Sequence, residues 1–210
     1  KYPQAAFPYA DLVETNRQRG RGAAEYELID TGVFDQDRYF DVLVEYAKAG
    51  PRDILARFSL TNRGPEAAEL HLLPTIWFRN VWDWPTLTSP PRPSLRRSEP
   101  PLEEHGVRVI THHATLGAYV VSFEGRPELL FTENETNAER LFGAPNRSPH
   151  VKDSINDAVV HGRHEAVNPA GVGTKAAAHY RLHIGPGETV VVRARLTHAA
   201  VNPGMHPFEE

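Results

Sequence analysis

The chain has 210 residues, 40% of them hydrophobic, a formal net charge of −4 and no cysteine. The length suits one large domain or two small ones, and no window approaches the roughly 18 consecutive apolar residues of a membrane span, so a soluble protein is expected. The acidic balance provides no basic stripe for nucleic acid, and the missing thiols exclude disulfides, cysteine nucleophiles and thiolate metal sites while fitting a cytoplasmic location.

Pro3 and Pro8 leave residues 1–25 irregular apart from a short helix over 10–19, whose Arg17 and Arg19, with Arg21, are soon followed by Glu25 and Glu27. Tyr26–Thr31 reads as a strand and 34–39 as a polar turn. Over 39–49, Phe40, Val42, Val44 and Tyr46 alternate with Asp41, Leu43 and Glu45, the period of a strand closed by Gly50-Pro51. A second strand follows from Asp53, with Ala56, Phe58 and Leu60 alternating with Arg57, Ser59 and Thr61. Asn62-Arg63-Gly64-Pro65 turns it into a third strand through Leu70, Leu72 and Leu73.

All three tryptophans, Trp77, Trp82 and Trp84, then fall within one short run, together with Arg79 and Asn80. Flat rings cover the C–H faces of sugars while Arg and Asn supply directed hydrogen bonds, so Trp82 and Trp84 are candidate stacking residues and Arg79 and Asn80 candidate hydrogen-bonding partners. Such rings equally fill cores or cover domain interfaces. In an extended segment Trp82 and Trp84 share one side, with Asp83 opposite.

The stretch 85–106 holds six prolines and many charges and reads as a long loop. Strands resume at 107–112, 116–123 and 128–132, followed by helices over 134–142 and 153–160 and a Gly/Pro loop at 168–173. A final hairpin joins 176–184 to 189–197 across Gly185-Pro186-Gly187. Hairpin following hairpin, with nine or ten strands in all, points to an antiparallel sheet.

Several local patterns invite chemistry. Thr132–Asn137 is a polar run in which Thr136 or Asn134 could cap the following helix, with Glu139 completing a capping box. Asn134 and Asn137 are further candidates for hydrogen bonding to sugar. Glu133 and Glu135 could instead form a carboxylate pair, and glycoside hydrolysis needs two carboxyl groups about 5 to 9.5 Å apart. Two residues apart on a strand, however, they stand side by side rather than flanking a scissile bond. The eleven histidines include His112-His113 and His161-x-x-His164-Glu165, but no His-Glu-x-x-His or inverted motif occurs, and neighbouring strand histidines point to opposite faces. No metal and no cofactor are expected. Gly171-Val-Gly-Thr-Lys175 lacks the spacing of a phosphate loop and leads into a strand. The sequons at Asn134 and Asn146 are short enough to arise by chance.

Taken together, KYPQAAFPYADLVETNR (1–17), EYELIDTGVFDQDRYFDVLVEYAKA (25–49), LTNRGPEAAELHLLPTIWFRN (60–80), ELLFTENETNAERLFG (128–143) and NPAGVGTKAAAHYRL (168–182) resemble a group of large bacterial glucosidase-like proteins. These are related to glycoside hydrolase family 63, which includes mannosyl-oligosaccharide glucosidase. The resemblance implies an N-terminal β-supersandwich of the galactose-mutarotase-like type, followed in such enzymes by a catalytic (α/α)6 barrel that supplies the acid and base of an inverting mechanism. The expected fold is therefore all-β: an antiparallel two-sheet sandwich with one or two short helices, a single domain over 1–210 that is a fragment of a longer protein, with a Pro-rich loop at 85–106.

The resemblance further implies a non-catalytic domain that supports the barrel of the same polypeptide and shapes the entrance for an oligosaccharide. None of the family's catalytic residues falls on this chain, and neither nucleic acid nor membrane is an expected partner. Two alternatives remain. A free-standing carbohydrate-binding module predicts sugar affinity without the barrel. A mutarotase-like sugar isomerase predicts a His and a Glu converging in one concave cleft. The supporting domain predicts neither, and an exposed apolar patch instead.

Overall fold

Alternating apolar and polar residues dominate the chain, and strands dominate the fold. The computed structural model describes residues 1–83, 90–98, 106–201 and 207–208. In spatial order, the larger of two sheets contains β1 (Tyr2–Pro3), β2 (Tyr39–Gly50), β3 (Asp53–Asn62), β12 (Thr189–His198), β8 (Gly117–Glu124), β7 (Gly106–His113), β6 (Ser94–Arg97) and β10 (Val172–Gly173). In the smaller sheet β11 (Lys175–Ile184) is the common partner of β4 (Ala68–Leu72), β5 (Thr75–Trp77) and β9 (Glu128–Thr132). The described pairings include β6–β7, β7–β8, β8–β12 and β9–β11, all antiparallel. The fold is an all-β, antiparallel two-sheet sandwich. Its described helices are α1 (Tyr9–Arg19), α2 (Ala138–Phe142) and α3 (Ser154–His161), plus three short 3-10 turns. Among the described residues no helix is long and apolar enough to cross a membrane.

Four local readings of the sequence need correction. Leu28–Thr31 is a 3-10 turn rather than a strand, because Asp30 accepts a hydrogen bond from the Glu27 amide and the Thr31 hydroxyl donates to the Leu28 carbonyl. Such local side-chain bonds compete with a ladder. The proline-rich stretch contains β6, whose Leu95 is fully buried, while 84–89 and 99–105 lie outside the described residues. The turns at 62–67 and 185–188 do not close hairpins: each carries the chain from one sheet to the other, since β4 and β11 belong to the small sheet and β3 and β12 to the large one. Finally, the helix expected over 134–142 begins only at Ala138.

The chain divides into two compact units, interleaved in sequence. One comprises Lys1–Glu45, Arg57–Leu70 and Arg181–Val192. Its apolar centre includes Phe40, Leu60 and Ile184, and its polar hub is Asn62. The Asn62 amide nitrogen donates to the Glu66 and Ile184 carbonyls at 2.7 and 2.8 Å, and its oxygen accepts from the Gly64 amide and from Gln4. With every polar atom of this buried side chain bonded, the crossing at 62–66 is held by hydrogen bonds.

The other unit comprises Tyr46–Ala56, His71–Tyr180 and Arg193–Glu210. Leu95, Val109, Val121 and Phe123 are buried in it, and Leu130 and Ala177 form a cluster with Ile155 and Ala158 of α3 and with Val167. A charged pair is buried there as well. The Arg195 guanidinium donates twice to the Asp53 carboxylate, at 2.9 and 2.6 Å, and once to the Pro207 carbonyl, while the Thr197 hydroxyl also donates to Asp53. The Arg195 hydrogen bonds, opposed by burial and helped by Thr197, hold the Asp53 carboxyl below its ordinary value.

Removing one partner of a buried pair strands the other, so Arg195→Met is expected to destabilise the protein by about 3–5 kcal/mol in urea unfolding. A carboxyl with a lowered folded-state pKa stabilises fully above its unfolded value of about 3.9 and loses that contribution as pH falls through the folded value. Stability is therefore expected to drop in acid, and Asp53→Asn to flatten the drop. Equal acid slopes for wild type and Asp53→Asn would contradict this assignment.

Candidate functional site

The site is set by strand register. Lys175 of β11 lies opposite Thr132 of β9 on one side and Trp77 of β5 on the other. Both flanking strands end at that level, so the segments leaving them, 78–83 and 133–137, emerge together. The residue just before β11 ties them: the Thr174 amide donates to the Thr132 carbonyl, and the Thr174 carbonyl accepts from the Phe78 amide. Gly173 is needed for this approach, because a side chain there would collide with the Thr132 carbonyl oxygen. The Thr174 hydroxyl accepts from the Asn134 amide and donates to Glu133 Oε2, both at 2.7 Å.

At the centre lies Glu135, only 4% exposed. Its Oε1 accepts from Trp82 Nε1 at 3.2 Å and from an Arg92 terminal nitrogen at 2.7 Å. The same Arg92 nitrogen lies 2.7 Å from Glu133 Oε2, and the guanidinium sits over the Trp82 ring, 5.5 Å from its centroid. One cation thus holds two carboxylates and one indole. A buried carboxylate needs such compensation.

In front of Glu135 is a cleft of about 470 Å³, within the usual range for small-molecule sites. Asn80, Asp83, Asn134, Glu135, Arg147 and Lys152 contribute most of its polar lining. Asp83 is ion-paired with Arg147 and accepts from the Asn80 amide group. The Lys152 ammonium makes a long contact, 3.5 Å, to the Thr136 hydroxyl. Nearby, burial and then the Lys152 charge push the Lys175 ammonium below its ordinary value, and Lys175 donates to the Lys152 carbonyl.

The sequence-derived candidates divide accordingly. Asn80 and Asn134 line the cleft, with the Asn134 amide group donating to the Phe78 carbonyl at 2.8 Å. Trp82 does not line it. Residues 82–83 form a turn rather than an extended run, and the indole N–H donates to Glu135. Trp84 lies outside the described residues. Arg79 is exposed and lies outside the cleft lining. Asn137 is the N-cap of α2: it accepts from the Arg140 amide and from Asn146 and donates to Asp153, so neither Thr136 nor Asn134 takes that position. Trp77, 57% exposed, also stands apart from the cleft.

Arg92, Lys152 and Thr174 escape sequence reasoning. Arg92 sits in a proline-rich stretch with no periodicity, and Thr174 sits in a glycine-bearing segment that mimics a phosphate loop. The carboxylate pairing is the one available signal, since two acidic side chains at alternate positions call for a cation.

His71 and His179 meet in a separate cluster. His179, 4% exposed, lies 2.9 Å from His71 through its Nε2 and 3.6 Å from Glu128 through its Nδ1. Glu128 lines a second cleft of about 510 Å³ with Arg97 and Ser98, but His179 is not part of that lining. Among the described residues no group of three or more His, Asp or Glu has the geometry to hold a metal ion.

No protein-family model matches the chain. The chain is similar to the uncharacterized protein YMR196W of Saccharomyces cerevisiae, with 32% identity over 235 aligned residues that take in 96% of this chain and 21% of the yeast protein. The chain thus spans about a fifth of the length of the curated relative it matches.

Replacing Arg92 by Met leaves the Glu133 and Glu135 carboxylates facing one another without their shared cation. A loss of about 1–3 kcal/mol is expected in urea unfolding, with a change in tryptophan emission as Trp82 loses its neighbour. Stability and emission equal to wild type would show that the clamp does not form in solution.

Proposed function

We propose that this chain is a non-catalytic β-sandwich domain of a family-63-like glycoside hydrolase, supporting a catalytic helical barrel of the same polypeptide and shaping the entrance for its oligosaccharide. The observation that carries the reading is the fixed, side-by-side placement of Glu133 and Glu135 on one Arg92 nitrogen. Glycoside hydrolysis needs carboxyl groups on either side of the bond to be cleaved. A pair neutralised by one guanidinium from the same direction is built for support. The polar cleft beside it suits a chain of hydroxylated rings. Leu141 and Phe142 on α2 and Val160 on α3 are exposed apolar side chains of the kind that a neighbouring domain covers.

The mutarotase-like alternative draws on the meeting of Glu128 and His179, but the buried imidazole stands outside the cleft that Glu128 lines. A cytoplasmic location is part of the proposal and agrees with the absence of cysteine.

The test is a paired hydrolysis assay on α-linked glucose disaccharides. The 210-residue chain alone is expected to be inactive and the barrel-bearing polypeptide active. Hydrolysis by the chain alone, or none by the longer polypeptide, overturns the reading.

A further inference from the structure

We infer that the cleft beside Glu135 is a binding subsite for one neutral hexopyranose unit, in which Glu135 Oε2 and Asn134 Oδ1 accept hydrogen bonds from ring hydroxyls and the Lys152 ammonium donates to one. The sugar class rests on the carbohydrate reading above, and the binding role goes beyond mere support of a barrel. The geometry stands independently of that reading.

Three observations carry the inference. The first is the division of labour within the Glu135 carboxylate. Oε1 takes both the Trp82 and the Arg92 hydrogen bonds, whereas Oε2 has no hydrogen bond among the described residues, although the side chain is only 5% exposed and lines the cleft. This oxygen keeps solvent access, so its lone pairs open to the cleft, where a ligand hydroxyl can arrive. Asn134 repeats the pattern: its amide nitrogen is used on the Phe78 carbonyl and its oxygen accepts no hydrogen bond among the described residues.

The second observation is charge. The cleft lining carries Asp83 and Glu135 against Arg147 and Lys152, so its formal charges cancel. Asp83 is paired with Arg147, while Glu133 and Glu135 share Arg92, which leaves one negative charge for Lys152 to balance. An anionic or cationic ligand would unbalance this arrangement, while a neutral polyol exchanges hydrogen bonds without adding charge.

The third is the donor. Among the described residues Lys152 holds only the long contact to Thr136, which leaves ammonium protons for a ligand oxygen. Its backbone is fixed, since the Lys152 amide donates to the Glu135 carbonyl at 3.0 Å. Acceptor and donor therefore hang from one hydrogen-bonded pair of residues. Both side chains line the same cleft, so one ligand can meet an acceptor and a donor there.

The test is an amide-resolved NMR titration of the 210-residue chain with methyl α-D-glucopyranoside, with glucosamine and methyl glucuronide as charged counterparts. Shifts centred on residues 134–136 and 152 with a millimolar Kd for the neutral glycoside, and weaker binding of both charged sugars, are expected. Glu135→Gln keeps an oxygen for Trp82 and Arg92 but turns a donor into the cleft, and should weaken binding by about 10-fold or more. Lys152→Met touches no described side-chain network beyond Thr136, should leave the unfolding midpoint unchanged, and should weaken binding by roughly 3- to 10-fold. No shifts with the neutral glycoside, preference for a charged sugar, or unchanged affinity in Lys152→Met overturns the inference. Each outcome is independent of whether the chain or a longer polypeptide hydrolyses anything.

Discussion

The register of β11 is the constraint on which the site depends. Its Ala176, Ala177 and Ala178 are fully buried, with β9 paired along the whole run and β5 paired at Ala176 and Ala177. Small side chains there permit close packing, and Leu130 and Ala177 in turn share a cluster with α3 and Val167. Because strand side chains alternate, a slip of one residue would turn Thr132, Thr174 and Lys175 to the wrong faces. The pairing of Lys175 with both Thr132 and Trp77 therefore does more than close a sheet. It decides that two chain segments far apart in sequence leave the fold at one level and on one side.

What leaves there is polar, and the way it is stabilised follows from dielectric arguments. Glu135 is removed from water at a position where an isolated carboxylate would be strongly unfavourable. The compensation is local and directional: an indole N–H and a guanidinium that also serves Glu133. Arg suits the position because one of its terminal nitrogens reaches both carboxylates while the guanidinium lies over an aromatic ring. The buried Asp53–Arg195 pair is compensated in the same way. There, however, the carboxylate oxygens are both taken by Arg195, whereas Glu135 keeps one oxygen for the cleft.

The sequence spoke clearly where periodicity did. Phe40 to Tyr46, the β7 and β8 hairpin and the 128–132 run all form strands, because alternation between buried and exposed faces is encoded residue by residue. It was silent about which sheet each strand joins. The crossings at 62–67 and 185–188 carry the turn residues of a hairpin, and Asn62 takes its role from long-range partners such as Ile184 that no local window contains. At the site, Asn80 and Asn134 were legible as polar residues at strand exits. Trp82 was legible as a candidate side chain, but the hydrogen bond from its indole N–H to Glu135 was not, since that acid lies far away in sequence. Arg92 was illegible, because a cation in a proline-rich stretch has no pattern until its two acidic partners are seen in space.

The shared clamp also bears on how this protein can vary. Trp82, Arg92, Glu133 and Glu135 come from three separate stretches of sequence, yet each satisfies a polar atom of another. Changes at these positions are not independent in free energy. Loss of the cation alone strands two acids, whereas loss of the cation together with an acid strands fewer. The four positions therefore form one unit of inheritance: drift at any of them closes off most single-step changes at the others and opens a few paired ones. A relative that has abandoned the clamp is expected to have replaced it as a set, with an apolar turn packed where the guanidinium and carboxylates now meet.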